Sequence, residues 1–255
     1  MTARGTDKAP RGADRQRERS VAWVAGVGSS AGLGAAVARR FAKEGLVVAV
    51  TGRTRERIES VAREIRDAGG EAHAFAGDVS READVVAIAE SVSALGPLQV
   101  AVFNAASAVR SPSLELSVSA LEDALRTTTV GGFVFGREAV RRLLPLQRGT
   151  LLFTGATASL RGRPPFAAFA ASKAALRSIS QTLAREFGPR GIHVAHVVID
   201  GGIDGERLLS RASAPPDADG LLGLNDIADV YWHLHAQPRS AWTQELDLRP
   251  YREPF

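Results

Sequence analysis

Lys173 is the residue of this chain whose type and position point most directly to chemistry. The chain has only three lysines, and Lys173 opens a segment with the apolar period of a helix. An ammonium group there can lower the pKa of a neighbouring proton donor. Four residues earlier stands Phe169, whose benzyl ring has no O–H to give or to take. Lys173 is therefore a candidate active-site cation, and Phe169 is not a candidate proton donor.

A glycine-rich turn is the second candidate. Residues 26–34 read GVGSSAGLG, after an apolar run and before a helix-like segment. Glycines at this spacing allow a tight turn and close approach to a pyrophosphate, and the helix N-terminus offers amide groups to the anion. We predict a dinucleotide site, although glycines also mark ordinary tight turns. The expected binding residues are Gly28, Ser29, Ser30, Gly32, Leu33 and Gly34.

Arg53 bears on the choice of dinucleotide. It follows the second apolar run, where an NAD site usually carries an acidic residue for the ribose 2′-hydroxyl, and no carboxylate appears before Glu56. A guanidinium at this position favours a 2′-phosphate, so we predict NADP rather than NAD. The alternative is a surface arginine in an arginine-rich protein.

Strand-like apolar runs alternate with helix-length amphipathic segments along the chain. We predict strands over Val21–Val27, Leu46–Val50, Ala72–Ala76, Leu98–Phe103, Thr150–Thr154, His193–Ile199 and Thr243–Leu248. We predict helices over Gly32–Glu44, Arg55–Ala68, Arg81–Leu95, Leu116–Leu144 (as one or two), Phe169–Phe187 and Asn225–Ala236, and a mobile segment over Gly205–Leu224. This alternation predicts an α/β fold, a doubly wound parallel sheet (Rossmann fold) in a single domain.

The composition narrows the remaining classes. The chain has no cysteine, which excludes disulfides and thiolate metal sites. Residues 1–19 hold six basic and three acidic side chains, and we predict a disordered basic N-terminal tail before a domain over residues 20–255. No apolar run of about 18 residues occurs, so we expect a cytoplasmic protein that binds neither membranes nor nucleic acid.

Two further motifs follow predicted strands. Gly77-Asp78-Val79 comes after the third strand, and Asn104-Ala105-Ala106 after the fourth. With the glycine turn, they resemble the short-chain dehydrogenase/reductase family over nearly the whole chain, from about Val21 to Leu248. The resemblance implies a nicotinamide cofactor, with Asp78 and Val79 near its adenine and Asn104 and Ala105 near its ribose.

The family's catalytic tetrad of Asn, Ser, Tyr and Lys is preserved here at one position only. The resemblance identifies Lys173 as the lysine, which also binds the nicotinamide ribose. Phe169 stands in place of the tyrosine, Ala156 of the serine and Thr129 of the asparagine. Losing both hydroxyls predicts a fall in ordinary catalysis by about 10²–10⁴-fold or more.

Nearby hydroxyls are candidates for a relocated proton donor. Thr157 and Ser159 lie one and three residues beyond Ala156, and with Lys173 they are our catalytic candidates. A hydroxyl is nevertheless a weak acid without a tuning partner. Asp200-Gly201, at the end of a predicted strand, resembles the family's Pro-Gly motif, with Asp200 in place of the proline. Asp200 either takes part in the chemistry or is a structural carboxylate of the turn.

The expected substrate pocket is aromatic and bordered by arginines. Arg161 and Arg163 lie on the bordering loop, where a guanidinium can stabilise an oxyanion or bind a carboxylate. Arg110 follows the fourth strand and is a further candidate. The predicted lining residues are Ser107, Ala156, Phe166, Phe169 and Asp200.

Histidines are the remaining titratable candidates. His193 and His196 fall in one predicted strand, and we expect both to be buried core residues on the same face. His233 and His235 are two residues apart on a helix and diverge, so we expect no metal site.

Three functions are compatible with these residues. The favoured one is a divergent NADP-dependent oxidoreductase acting on a hydrophobic carbonyl or alcohol. The others are a non-redox enzyme (isomerase, cyclase or dehydratase) in the same pocket and a catalytically silent NADP-binding subunit. The resemblance also implies a homo-oligomer, tetramer or dimer, through the Leu116–Leu144 and Phe169–Phe187 helices and the last strand.

Overall fold

The apolar runs form strands in the computed structural model, which describes residues 19–206 and 218–253. The strands are β1 (Val21–Ala25), β2 (Val47–Gly52), β3 (Glu71–Ala76), β4 (Leu98–Phe103), β5 (Thr150–Thr154), β6 (His193–Ile199), β7 (Gly202–Ile203), β8 (Leu221–Leu222) and β9 (Glu245–Leu248). Seven of them make one parallel sheet in the order β3-β2-β1-β4-β5-β6-β9. The strand order reverses between β1 and β4, and ligands of doubly wound sheets bind at such a point. The predicted fold class is confirmed.

Helices connect successive strands and cover both faces of the sheet. They are α1 (Leu33–Lys43), α2 (Arg55–Asp67), α3 (Glu82–Ser93), α4 (Val118–Leu125), α5 (Gly131–Leu143), α6 (Ala167–Phe187) and α7 (Leu224–Ala236). The predicted Leu116–Leu144 segment is two helices, α4 and α5, joined by a π-helical turn over Arg126–Val130. Among the helices of the described ranges, none has the length and apolar character needed to cross a membrane.

Two hydrophobic clusters lie on opposite sides of the sheet because alternate strand residues point to opposite faces. In β1, Ala22 and Val24 pack with α1, α2 and α7, whereas Val21 and Trp23 pack with α3, α5 and α6. Trp23 is fully buried, yet its indole N–H donates to Thr51 Oγ1 at 3.0 Å. The hydrogen bond satisfies the polar atom of this buried indole and links β1 to β2.

The predicted placement of the β6 histidines was wrong in one respect. His193 and His196 are both buried, but they lie on opposite faces, because residues three apart in a strand have opposite orientation. His193 stacks on Trp242, with ring centroids 4.9 Å apart, whereas the His196 ring lies against Gly155 on the other face.

Parts of the predicted disordered tail and of the predicted mobile segment lie outside the described residues. These are residues 1–18 of the basic tail and residues 207–217 of the segment predicted to be mobile. The end of the latter segment is ordered: residues 218–220 form a 3₁₀ turn, and β8 pairs in parallel with β7.

We expect two histidines, the buried His196 and the partly buried His235, to make the fold sensitive to acid. Burial lowers the pKa of His196 to about 4, against the opposing effect of Glu245, whose Oε2 lies 3.0 Å from Nδ1. Burial also lowers the pKa of His235 to about 4, and its Nδ1 is hydrogen-bonded to Thr150 Oγ1 at 2.9 Å. Both rings are therefore neutral in the folded protein at neutral pH.

We predict that the free energy of unfolding falls as the pH drops from about 6.5 to about 4. The unfolded chain protonates these histidines near 6.5, while the folded protein resists until about 4, so stability is complete above that window. Each ring contributes a loss on the order of 3 kcal/mol. Urea unfolding across this range measures the slope.

The substitution His235→Asn should make the slope shallower. The matched control is His233→Asn, at an exposed position on the same helix, which should keep the wild-type slope. A wild-type slope in the His235 variant would show that burial of this ring is not the cause.

Candidate functional site

The glycine turn is held rigidly between the ends of β1, β2 and β4. Backbone N–H groups of Gly26 and Val27 both donate to Thr51 O, at 3.0 and 2.9 Å. Gly26 has φ +86°, and a Cβ there would lie 2.3 Å from the Ala105 nitrogen, so only glycine fits. The predicted ribose-binding residue Asn104 donates its Nδ2 to Gly26 O at 3.1 Å. Its side chain therefore supports the turn.

The other side of the turn is open. A Cβ added to Gly28 would meet no atom of the described residues within 4 Å. Gly32 is the N-cap of α1, and this helix has neither a side-chain cap nor an acidic residue in its first turn. Uncapped amides at a helix N-terminus are suited to an anion. The residues present thus fit the pyrophosphate of a dinucleotide.

The two serines of the turn have their hydroxyls engaged within the protein. Ser29 Oγ accepts from the Ala31 amide at 3.1 Å. Ser30 Oγ donates to Glu64 Oε2 at 2.6 Å, and Arg39 binds both Glu64 and the Ser30 carbonyl. This Ser30–Arg39–Glu64 contact was not predicted from the sequence, since its members lie on three different elements.

The predicted adenine-side residues lie along the ends of β2 and β3. Arg53 directly follows β2 and is exposed, with no ion pair to any described residue within 4 Å. Asp78 Oδ1 accepts from the Ser80 amide at 2.9 Å and so closes its own turn. Val79 is buried, and its carbonyl lies against Gly131 of α5.

Lys173 is buried at the end of β5. It is 3% exposed, and Nζ donates to Thr154 O at 2.6 Å. The same Nζ lies 5.8 Å from the centroid of the Phe169 ring. The ring is thus beside the ammonium group, and it offers that cation only a π face.

Neither tyrosine of the chain lies in the place of the missing phenol. Tyr231 is fully buried on α7, and its hydroxyl is 2.7 Å from Thr154 Oγ1. Burial raises its pKa, which makes it a poor proton donor. Tyr251 is 77% exposed and donates to Asp219.

Thr157 and Asp200 meet at the C-terminal edge of the sheet. The Thr157 hydroxyl donates a hydrogen bond to Asp200 Oδ1. The Asp200 side chain is 3% exposed and forms ion pairs with Arg249 at 3.3 Å and Arg161 at 3.9 Å. The Thr157 hydroxyl, a weak acid by itself, is therefore paired with a carboxylate that lies 43 residues away in the chain.

Ser159 faces the protein interior. It is 4% exposed, its Oγ accepts from the Ala156 amide at 3.1 Å, and it lies 3.4 Å from His196 Nε2. His196 in turn contacts Glu245, which Arg177 binds through two hydrogen bonds of 2.6 and 2.7 Å. Ser159 thus belongs to a buried network that holds the Ala156 backbone.

The remaining pocket candidates border the same edge. Phe166 and Phe169 are partly exposed and meet edge to face, with ring centroids 6.5 Å apart. The Ser107 amide donates to Thr128 Oγ1 at 3.2 Å. Thr129, in the π-helical turn, donates its hydroxyl to Ser172 O on α6 at 3.0 Å. No cluster of metal-ligating side chains occurs among the residues whose structure is described.

Comparisons with known proteins agree on one family. The family model described as short chain dehydrogenase matches residues 22–209. Over 170 residues, 66% of this chain, it is 35% identical to glucose 1-dehydrogenase of Gluconobacter oxydans and to 3beta-hydroxysteroid dehydrogenase 1 of Eggerthella lenta. These matches span 64% and 65% of the two relatives, slightly under two thirds of their lengths.

Solved structures of similar fold cover more of the chain. A short-chain dehydrogenase from Rhodopseudomonas palustris is 37% identical, with a TM-score of 0.79 over 91% of this chain and 99% of that one. A metagenomic short-chain oxidoreductase in complex with NADP is 27% identical, with a TM-score of 0.78 over 91% and 98% of the two chains.

Alanine substitutions at two glycines of the turn should differ in their effect on the free energy of unfolding. In Gly34→Ala, the new Cβ would lie 2.8 Å from the Gly26 carbonyl oxygen, so we predict a loss of roughly 1–3 kcal/mol in unfolding free energy. Gly28→Ala meets open space and should change it by less than about 0.5 kcal/mol. Thermal and urea unfolding of both variants measure this; an equally stable Gly34 variant would contradict the described packing.

Proposed function

The chain belongs to the short-chain dehydrogenase/reductase family, and we propose that it is a divergent NADP-dependent oxidoreductase acting on a hydrophobic alcohol or carbonyl compound. The observation that carries the proposal is the hydrogen bond from Thr157 to the buried carboxylate of Asp200. It gives the site a route for a proton, although Phe169 and Ala156 carry no hydroxyl.

The residues proposed to hold the cofactor surround the switch in strand order. The glycine turn and the uncapped start of α1 would receive the pyrophosphate, and Arg53 would favour the 2′-phosphate of NADP. Asp78 and Val79 would lie by the adenine, and Asn104, Ala105 and Lys173 by the riboses. When bound, the nicotinamide supplies or accepts the hydride. The complex of the metagenomic relative with NADP supports this assignment.

Thr157 and Asp200 are proposed to move the accompanying proton. During alcohol oxidation, Thr157 Oγ1 would accept the hydroxyl proton of the substrate while passing its own proton to Asp200. During carbonyl reduction the protons would travel the other way. Ser159 would act as a positioning residue, because its Oγ holds the Ala156 amide beside Thr157. Phe166, Phe169 and Ser107 would line the substrate pocket.

A homo-oligomer is also proposed. Val118 of α4 is 70% exposed, and Phe133 of α5 is 44% exposed, so both helices present large apolar side chains. A second copy of the chain would cover them.

The function is tested with NADP⁺ and a panel of aromatic and aliphatic alcohols, and with NADPH and the matching carbonyl compounds, followed by nicotinamide absorbance. We predict turnover, with Thr157→Val lowering kcat by about 10²-fold at unchanged NADPH binding, because the proton route is lost. Thr182→Val, at an exposed position on α6, is the matched control and should keep the wild-type rate.

Two outcomes would contradict the proposal. If no compound is turned over although NADPH binds, the site would belong to a non-redox enzyme or a silent NADP-binding subunit. If Thr157→Val keeps the wild-type rate, the proton would take another route.

The double substitution Phe169→Tyr with Ala156→Ser should raise carbonyl reduction by about 10²-fold. It would place a phenol beside the Lys173 ammonium and restore a hydroxyl at 156. Phe187→Tyr is the matched control, since Phe187 also lies beneath a cation, Arg190, but at the far end of α6. No gain with NADPH binding intact would mean that the 169 ring does not face the reacting carbon.

A further inference from the structure

Two adjacent phenylalanine rings lie between two cations along one border of the candidate site. The Arg110 guanidinium lies 5.7 Å from the Phe166 ring centroid, Phe166 lies 6.5 Å from Phe169, and Phe169 lies 5.8 Å from Lys173 Nζ. These four side chains form a continuous strip, which we call the aromatic strip. The Ser111 amide donates to Pro165 O at 2.9 Å and ties its two loops together.

The two ends of the aromatic strip differ in their surroundings. Lys173 is buried against the Thr154 carbonyl at the inner end, whereas Arg110 is exposed at the outer end. Among the described residues, no Asp or Glu oxygen lies within 4 Å of the Arg110 guanidinium. The outer end therefore carries a positive charge that the described part of the chain does not neutralise.

Two further arginines, Arg161 and Arg163, lie on the segment that leads to Phe166. Arg161 reaches a carboxylate only at 3.9 Å, and that carboxylate, Asp200, is already bound by Thr157 and Arg249. Arg163 is exposed, and the described residues give it no ion pair. Arg110 and Arg163 are thus two exposed guanidinium groups with no carboxylate partner among the described residues.

We propose that the substrate bears a carboxylate at the end remote from its reacting carbon, and that Arg110 binds this carboxylate. The apolar body would lie on Phe166 and Phe169, with the reacting carbon at the inner end near Thr157. A guanidinium matches a carboxylate with two parallel hydrogen bonds, which a lone amide oxygen cannot accept. The location of the inner end rests on the proposed function; the anion site itself does not.

The test compares two probes with the same apolar body, one of which ends in a carboxylate and the other in a neutral amide. 4-Phenylbutyrate and 4-phenylbutyramide are titrated into the NADPH-loaded protein in a calorimeter. We expect the acid to bind about ten-fold more tightly than the amide. Arg110→Gln should abolish this preference through weaker binding of the acid alone. Arg190→Gln, which removes another exposed arginine stacked on a phenylalanine, should retain it.

Three results would overturn the proposal: equal binding of acid and amide to the wild type, no binding of the acid at all, or equal loss of both probes in Arg110→Gln. The last result would mean that Arg110 only covers Phe166. Calorimetry measures binding without turnover, so the two proposals can fail separately. If the protein prefers the acid but turns over no alcohol or carbonyl compound, the redox proposal is contradicted and the anion site is supported.

Discussion

Asp200 is a carboxylate with almost no access to water, placed where the sheet opens onto the candidate site. Burying such a charge is costly unless hydrogen bonds and opposite charges compensate for it. Thr157 and Arg249 provide that compensation at close range, and the Asp200 amide is itself fixed to Leu248 O at 2.7 Å. The segments after β5, β6 and β9 are thereby joined. The direction of the Thr157 hydroxyl, and with it the proposed proton route, depends on this one compensated charge.

The rest of the site divides into a part suited to binding and a part from which hydroxyls are missing. The open glycine turn, the uncapped α1 and the buried Lys173 have the form expected of a nucleotide-binding edge. Positions 169 and 156 carry a benzyl ring and a methyl group, and neither can donate or accept a proton. A hydroxyl one residue further on is paired with a carboxylate instead. The aromatic strip extends the same edge outward to Arg110, whose charge is not neutralised by any described carboxylate.

The sequence predicted the fold well, because strand and helix periods are local properties that a parallel sheet leaves intact. The Phe169 ring lies beside Lys173 because residues four apart on a helix are neighbours. The sequence did not predict the pairing of Thr157 with Asp200 or of Ser30 with Glu64, since neither is encoded by local spacing. The inward position of Ser159 followed from a 3₁₀ turn that has no clear sequence signal. The prediction that His193 and His196 share a face was wrong because only residues an even number of positions apart in a strand point to the same face.

The most direct test of the central claim is a crystal structure of the protein with NADP⁺ bound. We predict that the protein oxygen nearest the nicotinamide C4 is Thr157 Oγ1, still hydrogen-bonded to Asp200. A Thr157 side chain turned away from the nicotinamide, or a tyrosine hydroxyl brought beside Lys173, would contradict it.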